Sequence, residues 1–155
     1  MKIFITGSSG YIGCELIKRL SEEHGIVEYD LENGQDILDY ADLKEEMKGC
    51  DVVVHLAAIR GPHENKTFSD YFRINCRGTR NVAKAALEND VERLVYSSST
   101  SYYGLESGIP YVKLLEENNP IITQHVKAED LDCRDCDIAY STSKVISEQI
   151  LVTMV

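Results

Sequence analysis

The glycine-rich segment after the first apolar run is the feature that most constrains the fold of this chain. Ile3-Phe4-Ile5 leads into Thr6-Gly7-Ser8-Ser9-Gly10-Tyr11-Ile12-Gly13, where three glycines recur at three-residue spacing. In such a turn the first glycine permits a tight reversal, the second admits a pyrophosphate, and the third lets the following helix pack closely. Free N–H groups and the positive end of the helix dipole then favour an anion. The segment therefore predicts a nucleotide-binding βα unit.

Hydrophobic periodicity extends this unit along the chain. It predicts strands at residues 2–6, 26–30, 51–55 and 93–97, and helices at 11–23, 41–48, 68–88 and 141–153. The first helix has Ile12, Leu16, Ile17 and Leu20 on one apolar face. Alternating strands and helices indicate right-handed βαβ units and a parallel sheet, an α/β fold that binds ligands at the carboxyl ends of its strands.

Length and charge limit the class of protein. The 155 residues suit one domain, and the net charge of −10 argues against a nucleic-acid surface. No secretory leader is visible, and no apolar run approaches the roughly 20 residues that span a bilayer. We therefore expect a soluble, cytoplasmic chain with no nucleic-acid or membrane partner.

The five cysteines are scattered and odd in number, which indicates reduced thiols rather than a disulfide framework. Cys133 and Cys136 form a C-x-x-C pair, for which a zinc or redox role is an alternative. Only His125 lies nearby as a further zinc ligand. We therefore favour two loop cysteines and expect no metal.

An acidic residue ends the second predicted strand. Asp30 follows Gly7 by 23 residues, where a carboxylate can accept hydrogen bonds from the adenosine ribose. The same charge repels a 2′-phosphate, and no Arg or Lys lies between Leu31 and Gln35 to neutralise one. NAD is therefore favoured over NADP. Asp36-Ile37 is predicted to line the adenine site, and the small residues in His55-Leu56-Ala57-Ala58 leave space for the dinucleotide.

Catalytic chemistry is predicted at the last helix. Tyr140 and Lys144 are four residues apart and therefore share one helical face. An ammonium beside a phenol stabilises the phenolate, so the tyrosine can exchange a proton with a substrate hydroxyl. Ser97-Ser98-Ser99 ends the fourth strand, where a hydroxyl can hold the substrate oxygen. Taken alone, Tyr140 and Lys144 could be an ordinary pair on a helix surface, and the serine cluster could be a simple loop.

Taken together and in this order, the motifs resemble the NAD-dependent epimerase/dehydratase family of extended short-chain dehydrogenase/reductases. The resemblance also includes Asn75-Cys76-Arg77-Gly78-Thr79, similar to the family's Asn-x-x-Gly-Thr helix, and Ser97 to Gly104. It implies a Rossmann-like doubly wound parallel sheet that binds NAD and acts on a nucleotide-sugar. The chain would lack the family's usual later strands and C-terminal substrate domain.

The resemblance also implies residue roles. Tyr140 becomes the catalytic base, Lys144 its partner and a ligand of the nicotinamide ribose, and Ser99 the ligand of the substrate hydroxyl. The implied cofactor residues are Gly7, Gly10, Tyr11, Ile12, Gly13, Asp30, Asp36, Ile37, Leu56, Ala57, Ala58, Arg60, Asn75, Ser97, Tyr140 and Lys144. Thr100 and Ser101 occupy the positions of the acid pair in the family's 4,6-dehydratases, which leaves epimerase or reductase chemistry.

Two departures from the family pattern shape our expectations. Residues 105–139 form an atypical insert or loop within a single NAD-binding domain at 1–155, unless a frame error altered the local sequence. The chain also stops near half the usual family length, so we expect a truncated, epimerase-like protein. A catalytically idle dinucleotide-binding or regulatory module is the alternative. The helices that contain Asn75 and Tyr140 usually form a dimer interface in the family, which makes a homodimer our hypothesis.

Overall fold

A computed structural model describes residues 1–61, 65–103, 116–119, 121 and 135–154. Four parallel strands form one sheet in the order β2-β1-β3-β4. Their bounds agree with the predicted strands to within one residue at either end. The strands are β1 Lys2–Thr6, β2 Gly25–Tyr29, β3 Val52–His55 and β4 Arg93–Tyr96.

The predicted helices are present, with shifted ends. They are α1 Tyr11–Leu20, α2 Tyr40–Glu46, α3 Phe68–Tyr71, α4 Gly78–Glu88 and α5 Asp135–Met154, with a π-helical segment at Phe72–Arg77 between α3 and α4. Short 3-10 helices lie at Leu31–Asn33 and Thr100–Tyr103. The helix that carries Tyr140 and Lys144 thus begins at Asp135, six residues before residue 141 where the sequence predicted it.

The strand order places the helices on opposite faces of the sheet. The crossover through α1 runs from β1 toward the β2 edge of the sheet, whereas the crossovers through α2 and α4 run toward the β4 edge. Because such crossovers are right-handed, α1 lies on one face of the sheet, and α2 and α4 lie on the other. The main core lies on the α2 and α4 face and includes the fully buried Phe4, Leu43, Met47, Val53 and Val82. Burial of each such side chain stabilises the folded state by about 1.5–3 kcal/mol.

The predicted inward face of α1 is only partly covered. Gly13 is the one buried residue of this helix, and Ile12 is 58% exposed. Leu16, Ile17 and Leu20 are half-buried. The helical periodicity was therefore correct, but an amphipathic pattern does not say how much of an apolar face its neighbours cover.

A buried histidine joins the sheet to α4. The His55 ring at the end of β3 hydrogen-bonds through Nδ1 to Thr6 Oγ1 at 2.7 Å and through Nε2 to Thr79 Oγ1 at 2.9 Å. Thr6 Oγ1 also accepts a hydrogen bond from the Ala57 N–H at 3.3 Å. Burial, together with the smaller effect of the Lys144 charge, lowers the pKa of His55 to about 3. This His55 bridge is therefore neutral in the folded chain.

The His55 bridge predicts how stability depends on pH. The unfolded histidine takes up a proton near its ordinary pKa of about 6.5, whereas the folded one does not until about 3. Unfolding is therefore favoured as the pH falls through this window, with a slope approaching about 1.4 kcal/mol per pH unit. We expect urea unfolding between pH 7 and pH 4.5 to show this slope.

Substitution assigns the slope to one side chain. His55→Asn should lower the free energy of unfolding at pH 7 and remove most of the slope, because the variant has no imidazole to titrate. The matched change at the half-buried His24, His24→Asn, should leave the slope in place. An unchanged slope in His55→Asn would show that another group carries the pH dependence.

Candidate functional site

A cleft of about 450 Å³ lies at the carboxyl ends of β1, β2 and β3. Both the glycine turn after β1 and the loop after β2 contribute to it, as does the segment after β3. The predicted cofactor residues that line the cleft are Gly7, Gly10, Asp30, Asp36, Ile37, Leu56, Ala57 and Ala58. The structure thus brings together residues from three separate motifs at the sheet edge where a parallel sheet binds ligands.

Close backbone approach explains the glycines of the turn. Gly7 has a φ of +72°, and a Cβ there would lie 2.7 Å from the Ala57 nitrogen. A Cβ on Gly13 would overlap the Gly7 oxygen, so the start of α1 packs directly on the turn. No side chain caps α1 at its N-cap residue, Gly10. The cleft therefore meets an uncapped helix start, which suits the phosphates of a dinucleotide.

The Asp30 carboxylate lies between the glycine turn and the loop after β2. Its Oδ2 accepts a hydrogen bond from the Ser9 N–H at 3.0 Å, and its Oδ1 accepts one from the Glu32 N–H at 3.0 Å. Glu32 itself lines the cleft. The end of the cleft where the adenosine ribose is expected is therefore acidic, which disfavours a 2′-phosphate.

The opposite wall of the cleft was not predicted from the sequence. It comes from the segment before and within the helix that spans 68–77, where Arg73 forms an ion pair with Asp70 at 3.6 Å. No local motif marks these positions, because only the packing of this helix across the strand ends brings them to the cleft. The lining residues that sequence reasoning missed are Ser9, Tyr29, Leu31, Glu32, Gln35, Ile59, Lys66, Asp70, Arg73 and Ile74.

Lys144 connects α5 to the end of β4. Its ammonium donates a hydrogen bond to the Ser97 carbonyl at 2.8 Å and lies 4.8 Å from the centre of the Tyr96 ring. The Tyr140 ring centre is 5.9 Å away. Burial lowers the pKa of Lys144 to about 8, although Glu148 opposes the shift. A cation is thus held beside the tyrosine that the sequence predicted as the base.

Asn75 joins the cleft wall to the same helix. Its amide nitrogen donates to the Ile59 carbonyl at 3.1 Å and to Ser143 Oγ at 2.8 Å, while its Oδ1 accepts from the Ile59 N–H at 2.8 Å. Ser147 Oγ donates to the Asn75 carbonyl at 3.0 Å. Asn75 is 1% exposed and does not line the cleft. Its side chain therefore links two parts of the protein, the Ile59 backbone and α5.

Ser99 takes part in a local hydroxyl pair. The Ser101 N–H donates to Ser99 Oγ at 3.2 Å, and the two hydroxyl oxygens lie 2.9 Å apart. The remaining predicted cofactor residues do not line the cleft. Tyr11 is 91% exposed, Ile12 and Arg60 are also exposed, Gly13 packs on the turn, and Ser97, Tyr140 and Lys144 lie near the end of β4.

The C-x-x-C pair lies largely outside the part of the chain that the structure describes. Cys133 and the side chain of Cys136 lie beyond the described residues, as does most of the predicted insert at 105–139. Within the ranges that the structure describes, no group of three or more His, Cys, Asp or Glu side chains could hold a metal ion. Across the same ranges, no helix is both long and apolar enough to cross a membrane.

Comparison with known proteins identifies the family. The model of the NAD dependent epimerase/dehydratase family matches residues 3–155. The chain belongs to this family. This match confirms the resemblance that the motifs indicated. It also confirms NAD as the cofactor of the family. The solved relatives confirm the Rossmann-like α/β fold.

Relatives with known structures or curated functions are longer than this chain. It is 35% identical to an L-arabinose 1-dehydrogenase (NAD(P)(+)) of Haloferax volcanii, over 63% of this chain and 41% of the relative. It is 32% identical to a UDP-glucose 4-epimerase of Halalkalibacterium halodurans, over 79% and 40% respectively. The structure of MoeE5 in complex with UDP-glucose and NAD superposes with a TM-score of 0.78 at 24% identity, over 99% of this chain and 49% of that one. The chain therefore spans about half the length of its relatives or less.

The lowered pKa of Lys144 can be measured directly. We expect the ε-carbon resonance of Lys144 to titrate near pH 8 in carbon-13 NMR of lysine-labelled protein, below the ordinary value of about 10.4. The physical reason is burial, which disfavours the charged ammonium. Loss of the signal in Lys144→Arg assigns it. A midpoint at the ordinary value would mean that water reaches this ammonium.

Proposed function

We propose that this chain is the NAD-binding part of an enzyme that epimerises or oxidoreduces a nucleotide-sugar. The observation that carries the proposal is the cleft of helix start, glycine turn and Asp30, together with the buried pair of Tyr140 and Lys144. Ile59 lines the cleft and packs against the cluster that includes Tyr140. A cleft of this kind suits a dinucleotide, and a lysine ammonium close to a phenol suits proton exchange.

The residues of the cleft fit NAD. The glycine turn and the start of α1 would hold the pyrophosphate, Asp30 the adenosine ribose, and Asp36 with Ile37 the adenine. Lys144 would bind the nicotinamide ribose. Bound NAD would supply the acceptor for a hydride from the sugar.

The protein's own groups would then move the proton. Tyr140 would take the proton of a sugar hydroxyl, and the Lys144 ammonium would stabilise the phenolate that does so. The Ser99 hydroxyl would hold the reacting oxygen. Because a hydroxyl has one donor and two acceptor sites, the contacts of Ser99 with Ser101 leave it able to bind a substrate as well.

The nature of the substrate is proposed from the relatives. UDP-glucose gives the H. halodurans epimerase its name and is bound in the MoeE5 complex, which supports a nucleotide-sugar here. We also propose a homodimer through α5 and the helix that contains Asn75. A cytoplasmic location is proposed from the scattered cysteines, of which Cys14, Cys50 and Cys76 are free thiols.

Calorimetric titration with NAD and NADP is the first test of the proposal. We expect NAD to bind more tightly than NADP, because the Asp30 carboxylate accepts ribose hydroxyls and repels a 2′-phosphate. Asp30→Ala should weaken NAD binding about tenfold or more, a typical loss for a hydrogen bond to a charged group. The same variant should narrow the preference for NAD over NADP.

Glu22→Ala is the matched control, since it removes one exposed carboxylate outside the lining of the cleft. Its affinity for NAD should equal that of the wild type. A folded wild-type chain that binds neither dinucleotide would contradict the proposal and favour a role through protein partners.

Turnover separates the enzyme from the idle module. We expect the chain, incubated with NAD and UDP-glucose or UDP-glucuronic acid, to reduce NAD or to form an epimer detectable by NMR of the sugar. Tyr140→Phe should abolish this turnover, because the phenol that exchanges the proton is lost, while NAD should still bind through the residues of the cleft. NAD binding without turnover of any nucleotide-sugar would favour the idle dinucleotide-binding module.

A further inference from the structure

One wall of the cleft is held in place by residues that do not themselves line the cleft. The wall is the loop segment 36–38, here called the adenine loop, which lines the cleft through Asp36 and Ile37. Behind it lies α4, whose residues Gly78 and Asn81 are one helical turn apart and face the loop. Both residues are buried.

Gly78 provides the space that Ile37 occupies. A Cβ built on Gly78 would overlap Ile37 Cδ1 and would lie 2.9 Å from Ile37 Cγ1, closer than side-chain atoms can approach. Ile37 Cβ is 3.8 Å away, an ordinary contact distance. Gly78 has a φ of −60° and a ψ of −48°, so helix geometry does not require a glycine there. The close packing of Ile37 is therefore the feature that leaves no room for a side chain at position 78.

Asn81 fixes the backbone of the same loop. Its amide nitrogen donates a hydrogen bond to the Ile37 carbonyl at 3.0 Å and lies 3.5 Å from the Leu38 carbonyl. Asn81 is 6% exposed, so this donor has little access to water. A buried loop carbonyl that lost its donor would be costly, and the loop would shift to find another partner.

The other end of the adenine loop is held independently. The Tyr29 hydroxyl donates to the Asp36 carbonyl at 3.0 Å, and the Leu38 N–H donates to the Asp36 carboxylate at 2.9 Å. The first contact fixes Asp36 from the sheet, and the second lies within the loop. Neither contact involves the Ile37 side chain, which packs in the main core with residues of the sheet, α2 and α4.

We propose that Gly78 and Asn81 are positioning residues for the cofactor, which seat Ile37 against α4 and so set the depth of the adenine end of the cleft. The inference rests on the proposed binding of NAD. A side chain at position 78 would push Ile37 away from α4 toward the space where the adenine is expected. The two residues thereby tune affinity for an adenine ring without touching it.

Calorimetric titration of four proteins with NAD and with ADP tests this inference. Gly78→Ala should weaken both ligands by at least about tenfold, a typical effect of overpacking a close contact. Ile37→Ala alone removes the displaced atoms and keeps the cleft open. The double variant Gly78→Ala/Ile37→Ala should bind within about threefold of Ile37→Ala, because the clash no longer exists.

Rescue by the double variant distinguishes positioning from general destabilisation. Alanine favours a helix more than glycine does, so a loss of affinity in Gly78→Ala cannot come from a weaker helix. Arg80→Ala, on the exposed side of α4, is the control and should bind like the wild type. If Gly78→Ala does not fold, Asn81→Ala gives the same test: NAD affinity of the folded protein should fall.

The outcomes separate this inference from the proposed function. A wild type that binds NAD, with Gly78→Ala and Asn81→Ala binding equally well, would overturn the inference and leave the function standing. A double variant that binds much more than threefold more weakly than Ile37→Ala would also overturn it. A folded wild type that binds neither NAD nor ADP would overturn both.

Discussion

The arrangement of the cleft depends on the approach of three backbone segments at the end of β1. Gly7, Gly13 and Ala57 come so close that a Cβ on either glycine would overlap backbone atoms. This approach fixes the start of α1 against the end of β3. The Leu56 N–H completes the junction by donating to the Thr6 carbonyl at 3.1 Å. The N–H groups at the helix start and the Asp30 carboxylate take their positions from this junction, so the proposed phosphate site depends on it.

Buried polar side chains extend this junction toward Tyr140 and Lys144, the proposed catalytic residues. His55 links β1, β3 and α4, and Asn75 links Ile59 to Ser143 on α5. Buried polar groups are tolerated when they are hydrogen-bonded, and a fully bonded network restricts the packing to one arrangement. Asn75 therefore ties Ile59, which lines the cleft, to the helix that carries Lys144. Ile59 also packs against the cluster of Tyr71, Ala139 and Tyr140.

The features that could be predicted from the sequence are those that depend on local chemistry. Strand periodicity, the glycine spacing and the position of Asp30 are local, and the structure agrees with all three. It could not predict that Arg73 and Ile74 face the cleft, because their place depends on how a helix crosses the strand ends. The spacing of Tyr140 and Lys144 predicted a shared face. It did not predict the Ser97 carbonyl as the lysine's partner, since spacing along a helix fixes no side-chain rotamer.

The position of Lys144 bears on whether a chain of this length can perform chemistry. Its hydrogen bond to Ser97 is made to a backbone carbonyl, which no substrate is needed to supply. An ammonium has three donors, and the bond to Ser97 uses one of them. The Lys144 ammonium is thus set in place between β4 and α5. The proposed partner of Tyr140 is therefore positioned within the part of the longer relatives that this chain matches.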